Sequence, residues 1–154
     1  MQRFAASLFA LLLTTQFTAL AWAEPILTAT CNEPKGSRFD LKKGKINSSA
    51  DGFSGIHPVF IIDKDKPSKL LVVWGAAKLK GIELATNAKE IDIVSATDNQ
   101  ITAIEVDPTG DAVLMYSLFP QSGLIYFTQH RYQLLEGGNP NSASYHSKCN
   151  FSTK

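Results

Sequence analysis

Two cysteines, three histidines and no glycine-rich phosphate loop leave this sequence poor in the groups that most enzymes use. The histidines, His57, His130 and His146, lie on three separate segments without the close spacing of a zinc site. Asp63 and Asp65 begin like a calcium loop, but Lys66 and Pro67 replace the later ligands and Trp74 stands at the twelfth position. Gly52-Phe53-Ser54-Gly55 matches the nucleophile elbow only in part and lacks its strand–turn–helix setting. Glu105, Asp107 and Asp111 surround one turn, where turn-forming and solvent-facing roles account for them without an acid–base pair. No metal and no cofactor are expected, and the residues favour a protein that only binds over an enzyme with an unseen site.

Charge of either sign is also missing in excess. The chain holds 15 basic and 14 acidic residues, and removal of a leader carrying Arg3 makes the two equal. Nucleic acids and anionic membranes attract proteins with a basic surplus, so neither is an expected partner. One local basic cluster stands out: Lys35, Arg38, Lys42, Lys43 and Lys45, answered by Glu33 and Asp40.

Long apolar runs are confined to the first residues. Phe4 to Leu20 is apolar, and Ala21-Trp22-Ala23 offers the small residues that signal peptidase accepts. Thr14, Thr15, Gln16 and Thr18 keep the run short of the roughly 20 residues that a spanning helix needs. Residues 1–23 are therefore read as a cleaved signal peptide and 24–154 as one domain. No cysteine follows the cleavage point directly, which argues against a lipid anchor, and no membrane anchor is expected after cleavage. The destination is secreted or periplasmic. In an oxidising compartment Cys31 and Cys149 are expected to join in a disulfide closing more than a hundred residues.

What the mature part does contain is short β-branched and aromatic runs between turn residues. Strands are expected at Ile26–Cys31, from Arg38 towards Ile46, at His57–Ile62, Leu70–Trp74 and Lys78–Ala85, and at Glu90–Thr97 and Gln100–Val106. Asn47–Gly55 and Leu134–Ser144 read as loops, Asp98-Asn99 and Asp107–Asp111 as tight turns, and Tyr145–Phe151 as the last strand. About nine strands with almost no helix predict an all-β, single antiparallel meander, closed or nearly closed into a barrel, with a two-sheet sandwich as the alternative. A disulfide between first and last strands fits barrel closure, which removes exposed edges.

The richest stretch is Asp111–Tyr132, a hairpin turning at Pro120-Gln121-Ser122-Gly123. With Gln121 and Ser122 at the tip, Leu114, Tyr116, Leu118, Ile125, Phe127 and Gln129 share one face and belong to the core. The other face is mixed, and its functional suspects are Ser122, Tyr126 and His130. An early cysteine, the run Ser122-Gly123-x-x-Tyr126 and a cysteine near the end make the layout similar to small periplasmic lysozyme inhibitors of the C-type class. The likeness spans these scattered positions, and it implies that the Ser122–Tyr126 region is what enters the enzyme's cleft. The leading reading is a monomeric, non-enzymatic binding or inhibitor-type protein whose ligand is an unidentified protein or small molecule. Two others stand beside it: a lipocalin-like carrier of a small apolar ligand, with a cavity lined by Leu114, Tyr116, Ile125 and Phe127, and a small secreted hydrolase with an unseen site.

Overall fold

A computed structural model describes residues 25–75, 78–79, 82–83, 87–133 and 139–153. The expected signal peptide lies outside the described residues. Among them are β1 (Pro25–Cys31), β2 (Lys35–Lys42), β3 (Lys45–Gly52), β4 (Val59–Asp63), β5 (Lys66–Trp74), β6 (Lys78–Leu79), β7 (Ile82–Glu83) and β8 (Asn87–Ala96). They are followed by β9 (Ile101–Val106), β10 (Ala112–Phe119), β11 (Leu124–Gln133) and β12 (Asn139–Thr153). One 3-10 turn, Pro120–Ser122, joins β10 to β11 and ends on Gly123 at φ 63°.

Eight strands, β1, β4, β5 and β8 to β12, pair in that order, and β12 returns to β1. All their pairings are antiparallel, so the protein is a closed all-β barrel rather than a sandwich. The alternation that builds it is clearest on β12, where Asn141, Ala143, Tyr145, Ser147 and Cys149 are buried and Ser144, His146, Lys148 and Asn150 are exposed. Eight strands leave an interior that side chains can just fill. Phe60, Leu70, Val72, Tyr116, Leu118, Ile125 and Phe127 fill it, each almost completely inaccessible.

The seam depends on β12 changing partners. Residues 149–153 of β12 pair with β1, whereas 141–146 pair with β2 on the same side of the strand. Cys31 and Cys149 are directly opposite in the ladder and form the expected disulfide. The linker between β1 and β2 is held to β12 by Asn32 N–H donating to the Lys148 carbonyl and by the Ser147 hydroxyl donating to the Asn32 carbonyl. The hairpin β2–β3 thus extends the wall of β12 above the end of β1 and steps out of the otherwise sequential strand order.

Three expectations about local structure need correction. Lys45–Gly52 is a strand, not part of a loop: it pairs along its whole length with β2 through the backbone, and its mostly exposed side chains show no apolar alternation. Lys43 and Gly44, both at positive φ, make the turn between them. Residues 139–144 belong to β12 rather than to a loop, with Pro140 at the strand's start, where a missing N–H is tolerated. The expected strand Lys78–Ala85 is described only at 78–79 and 82–83, which pair with each other as a small hairpin; its other residues lie outside the described residues.

Candidate functional site

The opening hairpin follows the expected register: Leu114 faces Gln129, Tyr116 faces Phe127 and Leu118 faces Ile125. Alternation therefore sends Gln129 and Arg131 inwards, in line with Ile125 and Phe127. On neighbouring strands Glu105, opposite Leu114, and Lys89, opposite Val72, point the same way. These polar side chains sit where the packed interior stops, and above it lies a cup of about 560 Å³ open to solvent.

The floor of the cup is aromatic. Phe127 is its centre, with ring centroids 5.3 Å from Trp74, 5.8 Å from Tyr116, 5.9 Å from Phe53 and 4.8 Å from Tyr145. Phe53 reaches it from the segment after β3, which is fixed by Phe53 N–H donating to the Pro34 carbonyl. Such tilted and offset rings favour each other beyond the area they bury. Tyr116 and Phe127 are sealed, whereas Trp74, Phe53 and Leu114 remain partly exposed.

The polar groups are not equivalent. Lys89 Nζ pairs with Glu105 Oε1, and the Tyr116 hydroxyl donates to Glu105 Oε2 at 3.5 Å. Burial, and then the Glu105 charge, push the Tyr116 hydroxyl well above the ordinary phenol range. Asp107 serves its own turn, accepting from Thr109 N–H at 2.9 Å and from the Thr109 hydroxyl at 2.6 Å, and these bonds hold its carboxyl below the usual range. Arg131 makes no hydrogen bond or ion pair with any described residue.

Tyr145 forms the adjoining wall, opposite Gly36, and donates its hydroxyl to Asp51 Oδ2 at 2.7 Å. Burial first, then the hydrogen bond and charge of Asp51, push this hydroxyl up to about 12. The native state thus holds the phenol protonated. Its contribution to stability is complete below the ordinary phenol pKa of about 10 and is lost as pH rises through 12. Tyr145→Phe should flatten the decline of stability in that window without abolishing it, because Tyr116 acts in the same sense. Denaturant unfolding at stepped alkaline pH would check this, and an unchanged decline would assign the lability to other groups.

The three residues singled out from the sequence do not form one site. Ser122 is exposed on the 3-10 turn, beside a small cavity lined by Thr30, Asn32, Lys148 and Asn150. Tyr126 is on the outer face, 46% exposed, between Phe119 and His146 at centroid distances of 5.8 and 6.1 Å. His130 lies four residues farther along β11, roughly 13 Å at strand rise, against an open outer groove with Phe39, Val113 and Tyr132. His146 is opposite Tyr126 and His130 is opposite Ser142, so the ladder keeps the two histidines apart.

Most of the cup was hidden in sequence because its members come from six segments. Glu105 and Asp107 look alike as neighbours of a turn, and only the inward register of β9 separates them. The available signal was parity: Glu105 shares its side of the strand with Ala103, which is fully buried. Comparison with protein-family models, with curated proteins and with solved structures finds no match.

Proposed function

We propose that this protein is a non-enzymatic binding protein of an oxidising compartment, secreted or periplasmic, which takes a small molecule into the cup at the mouth of its barrel. The observation that carries this reading is the cup: an open recess with an aromatic floor and a few convergent polar groups, of a volume typical of small-molecule sites. The disulfide is consistent with an oxidising environment, and no helix among the described residues is long and apolar enough to cross a membrane.

The carrier reading takes a narrower form. Tyr116, Ile125 and Phe127 fill the barrel's middle, so cargo would rest above them, against Trp74 and Phe53 at the mouth, rather than inside. Trp74 borders the recess, which makes its fluorescence a reporter of occupancy. Calorimetric titration with a panel of small polar, apolar and ring-bearing compounds should give saturable heat. The same ligands should shift Trp74 emission, and Trp74→Phe should remove that signal. At a hundredfold excess over Kd a ligand should add about 2.7 kcal/mol to unfolding. Absence of heat and of thermal shift across the panel at millimolar ligand would refute the reading.

An inhibitor-type role at the other end of the hairpin has one supporting observation. Ser122 is exposed on a turn whose Gly123 carbonyl accepts from Cys149 N–H, so the tip is tied to the disulfide. Lysozyme activity measured with the protein and with Ser122→Trp tests it; no inhibition at micromolar protein would end it.

A further inference from the structure

We infer that the ligand of the cup is a small organic carboxylate with a ring-sized apolar body, its anionic head held by Arg131 and its body laid against Trp74 and Phe53. The inference rests on the reading of the cup as a binding site and adds to it the chemical class of what binds.

The sign of the ligand follows from which polar groups are already occupied. Lys89 and Glu105 neutralise each other. Asp107 feels the charges of Lys89 and Arg131, but its oxygen Oδ1 is taken by Thr109. Asp111 reaches the rim too, yet it precedes Ala112 and by alternation belongs to the outer face of β10. Arg131 is left as the inward-facing cation that makes no hydrogen bond or ion pair with a described residue, with only the charge of Asp107 within electrostatic reach. A guanidinium offers a planar fork of donors that matches a carboxylate.

One uncommitted neutral group of the cup lies beside Arg131. Gln129, one inward position below Arg131, makes no side-chain hydrogen bond with a described residue. Its amide can donate to a carboxylate held beside the Arg131 guanidinium. A carboxylate brings acceptor oxygens and the charge that balances Arg131.

The body of the ligand follows from the floor. Trp74, Phe53 and Leu114 present apolar surface, and Glu105, which shares the cup with them, is engaged by Lys89 and Tyr116. An aryl or short alkyl group gains more there than a heavily hydroxylated one, whose own hydrogen bonds to water would go unreplaced.

Matched compounds test this on the full chain: 3-phenylpropionate and indole-3-acetate, their neutral amides, and the cation 2-phenylethylamine, each titrated by calorimetry and by Trp74 fluorescence. The carboxylates should bind at least about tenfold more tightly than their amides, and the cation most weakly. Arg131→Gln should remove that preference, while Arg131→Lys should restore part of it and neither should move the melting temperature of the free protein by more than a degree or so, Arg131 being an exposed side chain that makes no hydrogen bond or ion pair with a described residue. Added salt should weaken the carboxylates and not the amides. Equal binding of amides and carboxylates, or a preference indifferent to Arg131→Gln, overturns the assignment of class while leaving the cup a binding site. No binding by any compound of this set or of the wider panel overturns both.

Discussion

Reduction of the Cys31–Cys149 disulfide should lower the stability of the barrel by about 5 kcal/mol, the chain-entropy value for a crosslink across 118 residues. For a domain of this size that corresponds to a fall in melting temperature of roughly 15–25 °C. The structure adds where the loss should appear. The disulfide lies at the point where β12 leaves β1 and continues beside β2, so it secures the one closure that joins the two ends of the chain. Without it the five ladder pairs between Leu27–Cys31 and Cys149–Thr153 must hold the seam alone. Thermal unfolding of oxidised and reduced protein, together with a Cys31→Ala/Cys149→Ala variant, measures the effect. Hydrogen exchange should then show the amides of β1 losing protection before those of β10 and β11. A melting temperature unchanged on reduction would mean that the seam is held by the ladder and core alone.

Gly36→Val should be the most damaging single exposed-strand substitution. A Cβ at Gly36 would overlap the Ser144 carbonyl and crowd the Tyr145 Cα, both main-chain atoms that no rotamer change can clear. β2 would have to lift from β12, taking β3 and the Tyr145–Asp51 hydrogen bond with it and loosening Phe53 over the cup. Overpacking against side chains costs about 1–3 kcal/mol, and a clash with backbone should exceed this. The loss should also be partial in space. The eight-stranded barrel keeps its pairings, so β9 to β11 should stay protected from exchange while β2 and β3 become open. Gly44→Ala is the contrast: its position has nothing within 4 Å, and only its φ of 73° is unfavourable, a cost of about 1–2 kcal/mol. Equal effects for the two glycines would show that β2 is not in fact seated by close backbone approach.

The parts of the fold that were legible in sequence are those in which a face is buried. Leu114, Tyr116, Leu118, Ile125 and Phe127 alternate with more polar neighbours, and Pro120–Gly123 fixes the turn, so register followed from a single stretch. Tyr145–Cys149 announced β12 in the same way. β3 could not be read, because Lys45–Gly52 buries neither face and is held by main-chain bonds to β2 that leave no mark on side-chain choice. The beginning of β12 was obscured by Pro140 and its polar neighbours, the residues that usually signal a loop. The cup was legible only in Leu114, Tyr116 and Phe127 of the expected carrier cavity; Phe53, Trp74, Lys89, Glu105 and Arg131 are scattered over 79 positions of sequence and meet only once the barrel is closed. The hairpin's outer suspects, Ser122, Tyr126 and His130, were visible because they are neighbours in sequence, and strand geometry is what spreads them apart.

The partner change in β12 also sets an order of events in synthesis. A chain emerges N-terminus first, so β1 can find β4 early, but its other neighbour, Cys149–Thr153, follows more than a hundred residues later. Until those residues are made the nascent protein is an open sheet with two raw borders. Closing this barrel waits on residues far along the chain, and the Cys31–Cys149 disulfide joins the two strands that meet last. A ribosome-bound chain truncated before Cys149 would keep its single thiol, Cys31, reduced and open to alkylation however long it waited.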